Sequence, residues 1–172
     1  MKRPYLLFIP LALALSGCLT AKFNASTAYT GKKVSDLYVI VVGNEETKAC
    51  MGYYKDDLVA ALDTSHLSAT GDYECCVDSK TPMNDYMNGL LKNAGHHKYI
   101  LTAVLMETVI GYGTSSSRTL QLNLLDMGEG KSVWTGKLRA DFSWFISDQN
   151  YRNVAQKLND ETIKELQAKG II

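Results

Sequence analysis

Two stretches of strict alternation do most to limit what this chain can fold into. Leu120, Leu122 and Leu124 alternate with Thr119, Gln121 and Asn123, and Trp134, Leu138, Ala140 and Phe142 alternate with Thr135, Lys137, Arg139 and Asp141. Successive side chains of a strand point to opposite faces, so each stretch reads as a strand with one covered and one wet face. The segment between them, Asp126-Met127-Gly128-Glu129-Gly130-Lys131, reads as a hairpin loop. A sheet of this kind needs helices over its apolar side.

The helices are legible on either side. Leu37 to Val42 is a continuous apolar, β-branched run ending at Gly43, the pattern of a strand buried on both faces. Met51, Tyr54, Leu58, Ala61 and Leu62 then form a helical stripe, and a short strand is expected around Tyr73 to Val77. Thr81-Pro82 offers a helix start, Met83, Tyr86, Met87, Leu90, Leu91 and Ala94 its stripe, and Gly95 its stop. Tyr99 to Ile110 reads as a central strand, and Tyr151 to Lys169 as a last helix with Tyr151, Val154, Ala155, Leu158, Thr162 and Leu166 on one face. The order β-α-β-α-β-β-β-α predicts an α/β (α+β) two-layer sandwich with a mixed sheet and helices mainly on one face. With 46% hydrophobic and 21% charged residues the chain has ordinary globular composition, enough for one core.

The N-terminus has a different character. Lys2 and Arg3 precede an apolar run from Leu6 to Leu15, too short for a membrane span of roughly 20 residues, so it reads as an export signal. It ends in Leu15-Ser16-Gly17-Cys18, which resembles the lipobox of bacterial lipoproteins. That resemblance implies cleavage before Cys18, acylation of that cysteine (palmitate among the chains) and, since Leu19 is not an Asp, an outer-membrane address on the periplasmic face. Residues 1–17 are then signal peptide, 18–35 lipidated cysteine and tether, and 36–172 a single α/β domain. Removing Lys2 and Arg3 turns the balance of 18 Lys+Arg against 18 Asp+Glu into 16 against 18. No cationic footprint for a phosphate backbone exists, which sets nucleic acid aside.

The hairpin also carries a resemblance. Thr119 to Gly136, with an apolar strand ending in Asp126, a Gly/Lys turn and then Val133-Trp134-Thr135-Gly136, resembles a segment of small outer-membrane lipoproteins, as does the late helix ending Leu166-Gln167-Ala168-Lys169-Gly170. These have a two-layer domain like that of the TolB N-terminal, LptE and PelC families. The resemblance implies a non-enzymatic accessory or interaction subunit in cell-envelope assembly or export, partnered with other envelope proteins or a surface polymer and open to homo-oligomer formation. A periplasmic small-ligand-binding lipoprotein is the alternative.

Residues that could carry chemistry or contacts fall into five groups. In a β-α-β unit Cys50 opens the helix while Cys75 and Cys76 close the next strand at the same sheet edge. A disulfide from Cys50 to Cys75 (or Cys76) is therefore expected, worth about 3–4 kcal/mol for such a loop. His96 and His97 sit in one turn and His66 in another. They read as solvated loop histidines, because adjacent histidines rarely reach one ion together, and no metal or cofactor is expected. Gly111-x-Gly113 with Thr114 and three serines follows a strand but precedes another, so the helix N-terminus of a phosphate loop is missing and a hairpin tip is the reading. Glu107 with Asp126 or Asp141 makes no recognisable catalytic pair, and no catalytic residue is assigned. Lastly, the wet face of the hairpin, with Gln121, Asn123, Thr135, Lys137, Arg139 and Asp141 and with Trp144 and Phe145 just beyond, is the expected partner-docking face.

Overall fold

The run Leu37–Val42 sits where its composition demands, inside the sheet between two parallel neighbours with every residue buried. The computed structural model describes residues 20–63, 66–75, 83–110, 115–143 and 148–172. In chain order these form β1 (Thr20–Ser26), β2 (Asp36–Gly43), a 3-10 turn (Glu45–Thr47), α1 (Lys48–Leu62), β3 (Ser68–Cys75), α2 (Met83–Asn93), β4 (Tyr99–Ile110), β5 (Ser115–Asp126), β6 (Lys131–Ser143) and α3 (Asp148–Ala168). The strands make one sheet in the order β1-β6-β5-β4-β2-β3. β2 runs parallel to both β3 and β4, and the other pairings are antiparallel. This is the expected mixed α+β sheet, with one more strand than the sequence pattern implies.

Strand order decides where the helices go. The chain steps outward from β2 to β3 and then back across β2 to β4, and right-handed crossovers in opposite directions place their helices on opposite faces. α1 accordingly packs with α3 over one face, on Leu37, Val39, Val41, Leu101, Ala103, Leu120, Leu122, Leu124, Trp134 and Leu138. α2 covers part of the other, where Leu90 and Ala94 meet Tyr38, Ile40, Val42 and Ile100. Two of the three helices thus share a face. They are tied together by Tyr54, whose hydroxyl lies 3.0 Å from Thr162 Oγ1, which in turn donates to the Leu158 carbonyl at 2.8 Å.

The expected tether is corrected at its start. Residues 20–26 are a strand on the sheet edge, antiparallel to β6 with Thr20 opposite Asp141 and Ser26 opposite Gly136. Ala21 and Phe23 pack against the main core, and the Phe23 ring meets Trp134 with centroids 6.1 Å apart. Ser26 Oγ donates to Glu165 at 2.5 Å, and the Val34 amide donates to the Ile171 carbonyl at 2.8 Å, so the stretch before β2 is held at several points. Small polar residues hid this strand; it forms because β6 offers an unpaired edge and Gly136 leaves room for Phe23. A Cβ at Gly136 would come within 2.6 Å of the Phe23 ring and 2.8 Å of Trp134.

β3 also begins earlier than its apolar signal, at Ser68 and not Tyr73. As an edge strand it buries little more than Ala69, so the period is faint. Among the described residues no helix is long and apolar enough to cross a membrane. The signal segment, Cys18, Cys76, Thr81-Pro82, Gly111–Thr114, Trp144 and Phe145 lie outside the described residues.

Candidate functional site

The outward face of β5 and β6 assembles as its alternation requires. Register sets Gln121 opposite Lys137, Asn123 opposite Thr135 and Thr119 opposite Arg139. The added strand extends the face, since Lys22 of β1 stands opposite Arg139. Gln121, Asn123, Lys137 and Arg139 are therefore neighbours on one surface, with Lys22 as a member that sequence reasoning missed. Its signal was available once the edge strand was recognised. Among the described residues no helix packs over this half of the sheet, because α2 stops at Leu125 on that side. Lys22, Lys137 and Arg139 are exposed. Arg139 Nε donates to Asp141 at 2.9 Å, while Lys22 and Lys137 have no carboxylate within ion-pair distance among the described residues. The surface is flat, polar and mildly cationic. It suits contact with an extended or flat partner and offers no enclosed place for a reaction.

A groove of about 530 Å³ opens at the hairpin end of the sheet, between Tyr29–Lys32, Lys98-Tyr99 and Asp126–Val133. Asp126 shapes it by closing the turn as its position suggested, with Oδ1 accepting from the amides of Gly128 at 2.9 Å and Glu129 at 3.1 Å. The Tyr29 hydroxyl donates to the Lys32 carbonyl at 2.6 Å; burial and the neighbouring Tyr99 push it up to about 12. Lys131 pairs with Glu129 at 2.7 Å, and the Lys98 ammonium sits 5.3 Å from the centre of the Tyr99 ring. The lining can hold a small polar molecule but contains no nucleophile and base in contact.

At the opposite end a buried polar cluster lies under α1 and α3. Arg118 is only 4% exposed and stands in phase with Leu120, Leu122 and Leu124, on the core face of β5. Its guanidinium is 6.0 Å from the centre of the Tyr151 ring and adjoins Cys50. Burial pushes the Cys50 thiol up to about 11, with Arg118 pulling the other way. A charge in phase with leucines was the readable signal for this cluster. With so little exposure, it cannot receive a substrate in this conformation.

Cys50 also corrects an expectation. It is a free, buried thiol, so the disulfide from Cys50 to Cys75 is not formed. The α1 stripe buries Cys50 in the core cluster with Met51, Tyr54 and Leu58, and its thiol adjoins Arg118 there. Cys75 is committed to a partner outside the described residues. His97 departs from its reading as a solvated loop residue. Its Nδ1 lies 2.6 Å from Asp36 Oδ1, its Nε2 3.2 Å from Thr70 Oγ1, and its ring 5.2 Å from that of Tyr38. It joins the starts of β2, β3 and β4, whereas Cys75 closes the far end of β3. Among the described residues no group of three or more His, Cys, Asp or Glu could hold a metal ion.

No family model matches the sequence, and no curated protein matches it. Solved structures do resemble it. The PelC dodecamer from Paraburkholderia phytofirmans is 14% identical, covers 83% of this chain and 98% of its own, and superposes with a TM-score of 0.46. The lipoprotein GNA1162 from Neisseria meningitidis is 12% identical over 78% of this chain and 99% of its own, also at 0.46. XCC0632 from Xanthomonas campestris, of the DUF330 family, is 10% identical over 81% and 91%, at 0.43. At these scores the likeness is one of outline alone.

Proposed function

We propose that this chain is a lipid-anchored outer-membrane protein on the periplasmic face, acylated at Cys18, that works by holding another envelope component against the uncovered face of its sheet. The observation that carries this is the open surface of Lys22, Gln121, Lys137 and Arg139 on a small domain whose other sheet face is fully roofed. A bare sheet face of this width costs nothing only if it is polar, and it is; Arg at its centre is a residue type enriched where partners bind. The partner class is an envelope protein or a surface polymer in assembly or export. Among the described residues the outer edges of β1 and β3 carry no neighbouring strand, which supports homo-oligomer formation as part of the same role.

Cross-linking in intact cells tests the reading. Lys137→Glu with Arg139→Glu should abolish capture of the partner while leaving the melting temperature unchanged; capture at the wild-type level by a folded double variant would sink it. The groove at Tyr29, Lys98 and Asp126 favours the second reading, a small-ligand-binding lipoprotein. A ligand that co-purifies with the wild-type protein and is lost in Lys98→Ala would promote that reading over the first.

A further inference from the structure

We infer that the domain stands on the membrane by the sheet end at which β1 begins, with its strands pointing away from the bilayer and its groove held at the far end; this rests on the acylation of Cys18 proposed above. The argument is one of reach. Cys18 and Thr20 are two residues apart, and an extended chain covers at most about 7 Å in that distance. Thr20 is paired in the sheet, opposite Asp141, so an acyl chain on Cys18 would hold this point of the domain at headgroup level.

The shape of that end agrees. β2 finishes at Gly43, one step past the level of Val104 on β4, whereas β4 continues to Ile110, β5 starts at Ser115 and β6 runs to Ser143. The strands β4, β5 and β6 therefore overhang β2 by about five residues, roughly 17 Å at 3.3 Å per residue, on the side nearest β1. Met106, at the root of this overhang, is 63% exposed, and Val109 and Ile110 follow it in the strand. Charges near this end are mixed, with Lys22, Lys48, Arg139 and Arg152 against Glu45, Glu46 and Asp141, so lipid charge provides no strong pull. The short anchor sets the pose. The β5–β6 turn at Met127–Gly130 then lies about 30 Å further out, nine residues along β5 from the level of Thr20.

The test is hydrogen exchange on the full-length acylated protein in phosphatidylethanolamine/phosphatidylglycerol vesicles, compared with Cys18→Ser free in solution and with a variant carrying a twelve-residue Gly/Ser spacer between Leu19 and Thr20. Intact mass reports acylation separately. Slowed exchange at residues 105–110, 115–118 and 139–143 with none at 127–131, lost in the spacer variant, is the expected result. An acylated protein with protection at 127–131, or with none, overturns the pose and leaves the anchor standing. A protein that recovers from cells without acyl chains overturns the anchor and the pose together.

Discussion

Trp134 and Gly136 show how closely single residues are matched here. The indole is 1% exposed and rests against Phe23 at a point where position 136 has no room for a side chain. Gly136→Val should cost about 1–3 kcal/mol through overpacking. Trp134→Ala should cost about 3–5 kcal/mol through the cavity it leaves. Urea unfolding measures both, and a Gly136→Val midpoint equal to wild type would mean that β1 does not sit as described. At the other end of the sheet, burial alone would raise the Asp36 carboxyl, but the Lys98 amide and the His97 ring hold it below its usual 3.8. A carboxyl lowered on folding contributes stability that is present above the unfolded value and disappears as pH falls through the folded one. Stability should therefore drop below about pH 4, and Asp36→Asn should flatten that part of the profile; an unchanged slope in the variant would exclude the pair as its source. Cys50, buried and with its thiol near 11, should resist iodoacetamide at neutral pH in the native protein and react in urea, read by peptide mass spectrometry.

The elements divide by how much apolar surface each brings. β4 and the inward faces of β5 and α3 lie where their periods put them, because each buries a run of apolar side chains, Tyr99, Ile100, Leu101 and Ala103 in β4. Val154, Ala155, Leu158, Thr162 and Leu166 of α3 are all buried, whereas Ala61 of α1, counted in its stripe, faces solvent. The two edge strands were illegible for a common reason. β1 buries no residue fully and β3 only Ala69, and their strand form comes from pairing with β6 and β2, information that lies more than a hundred residues away for β1. The outward polar surface of β5 and β6 was legible, apart from the edge that β1 adds. Arg118 was missed although its parity gives it away, since a lone charge among leucines is easily counted as the strand's start. Deleting residues 20–26 should bare the outer edge of β6 and the Phe23 side of Trp134, lower stability and promote association through the exposed edge, visible by light scattering. A deletion variant that stays monomeric with an unchanged melting temperature would demote β1 to an ornament.

At the scale of the whole molecule the two faces of the sheet have separate duties. One, under α1 and α3, holds the single large core, with Tyr54, Thr162 and Leu158 locking the helices to one another. Among the described residues the other is roofed over β2, β4 and Leu125 of β5, leaving β1, β6 and the rest of β5 open. The residues that hold the core and those of the proposed docking face are therefore distinct, and changes on the open face should be close to additive with those in the core. Combining Arg139→Glu with Leu158→Ala should lower the unfolding free energy by the Leu158→Ala amount alone, about 2–5 kcal/mol. A coupling well above about 0.5 kcal/mol between them would show that the open face also supports the core.

The pairing of β1 with β6 sets an order of events. The strand first in sequence docks on one of the last, so it has no partner until about 140 residues are in hand. Contacts this distant in sequence are slow to form because a long loop must close before they give any return. In a chain that crosses a membrane from its N-terminus, the segment next to Cys18 would stay extended and reachable while the rest emerges. Processing enzymes acting at that cysteine would then have their opportunity before β1 closes the sheet, and the finished fold would seal the site by its own completion.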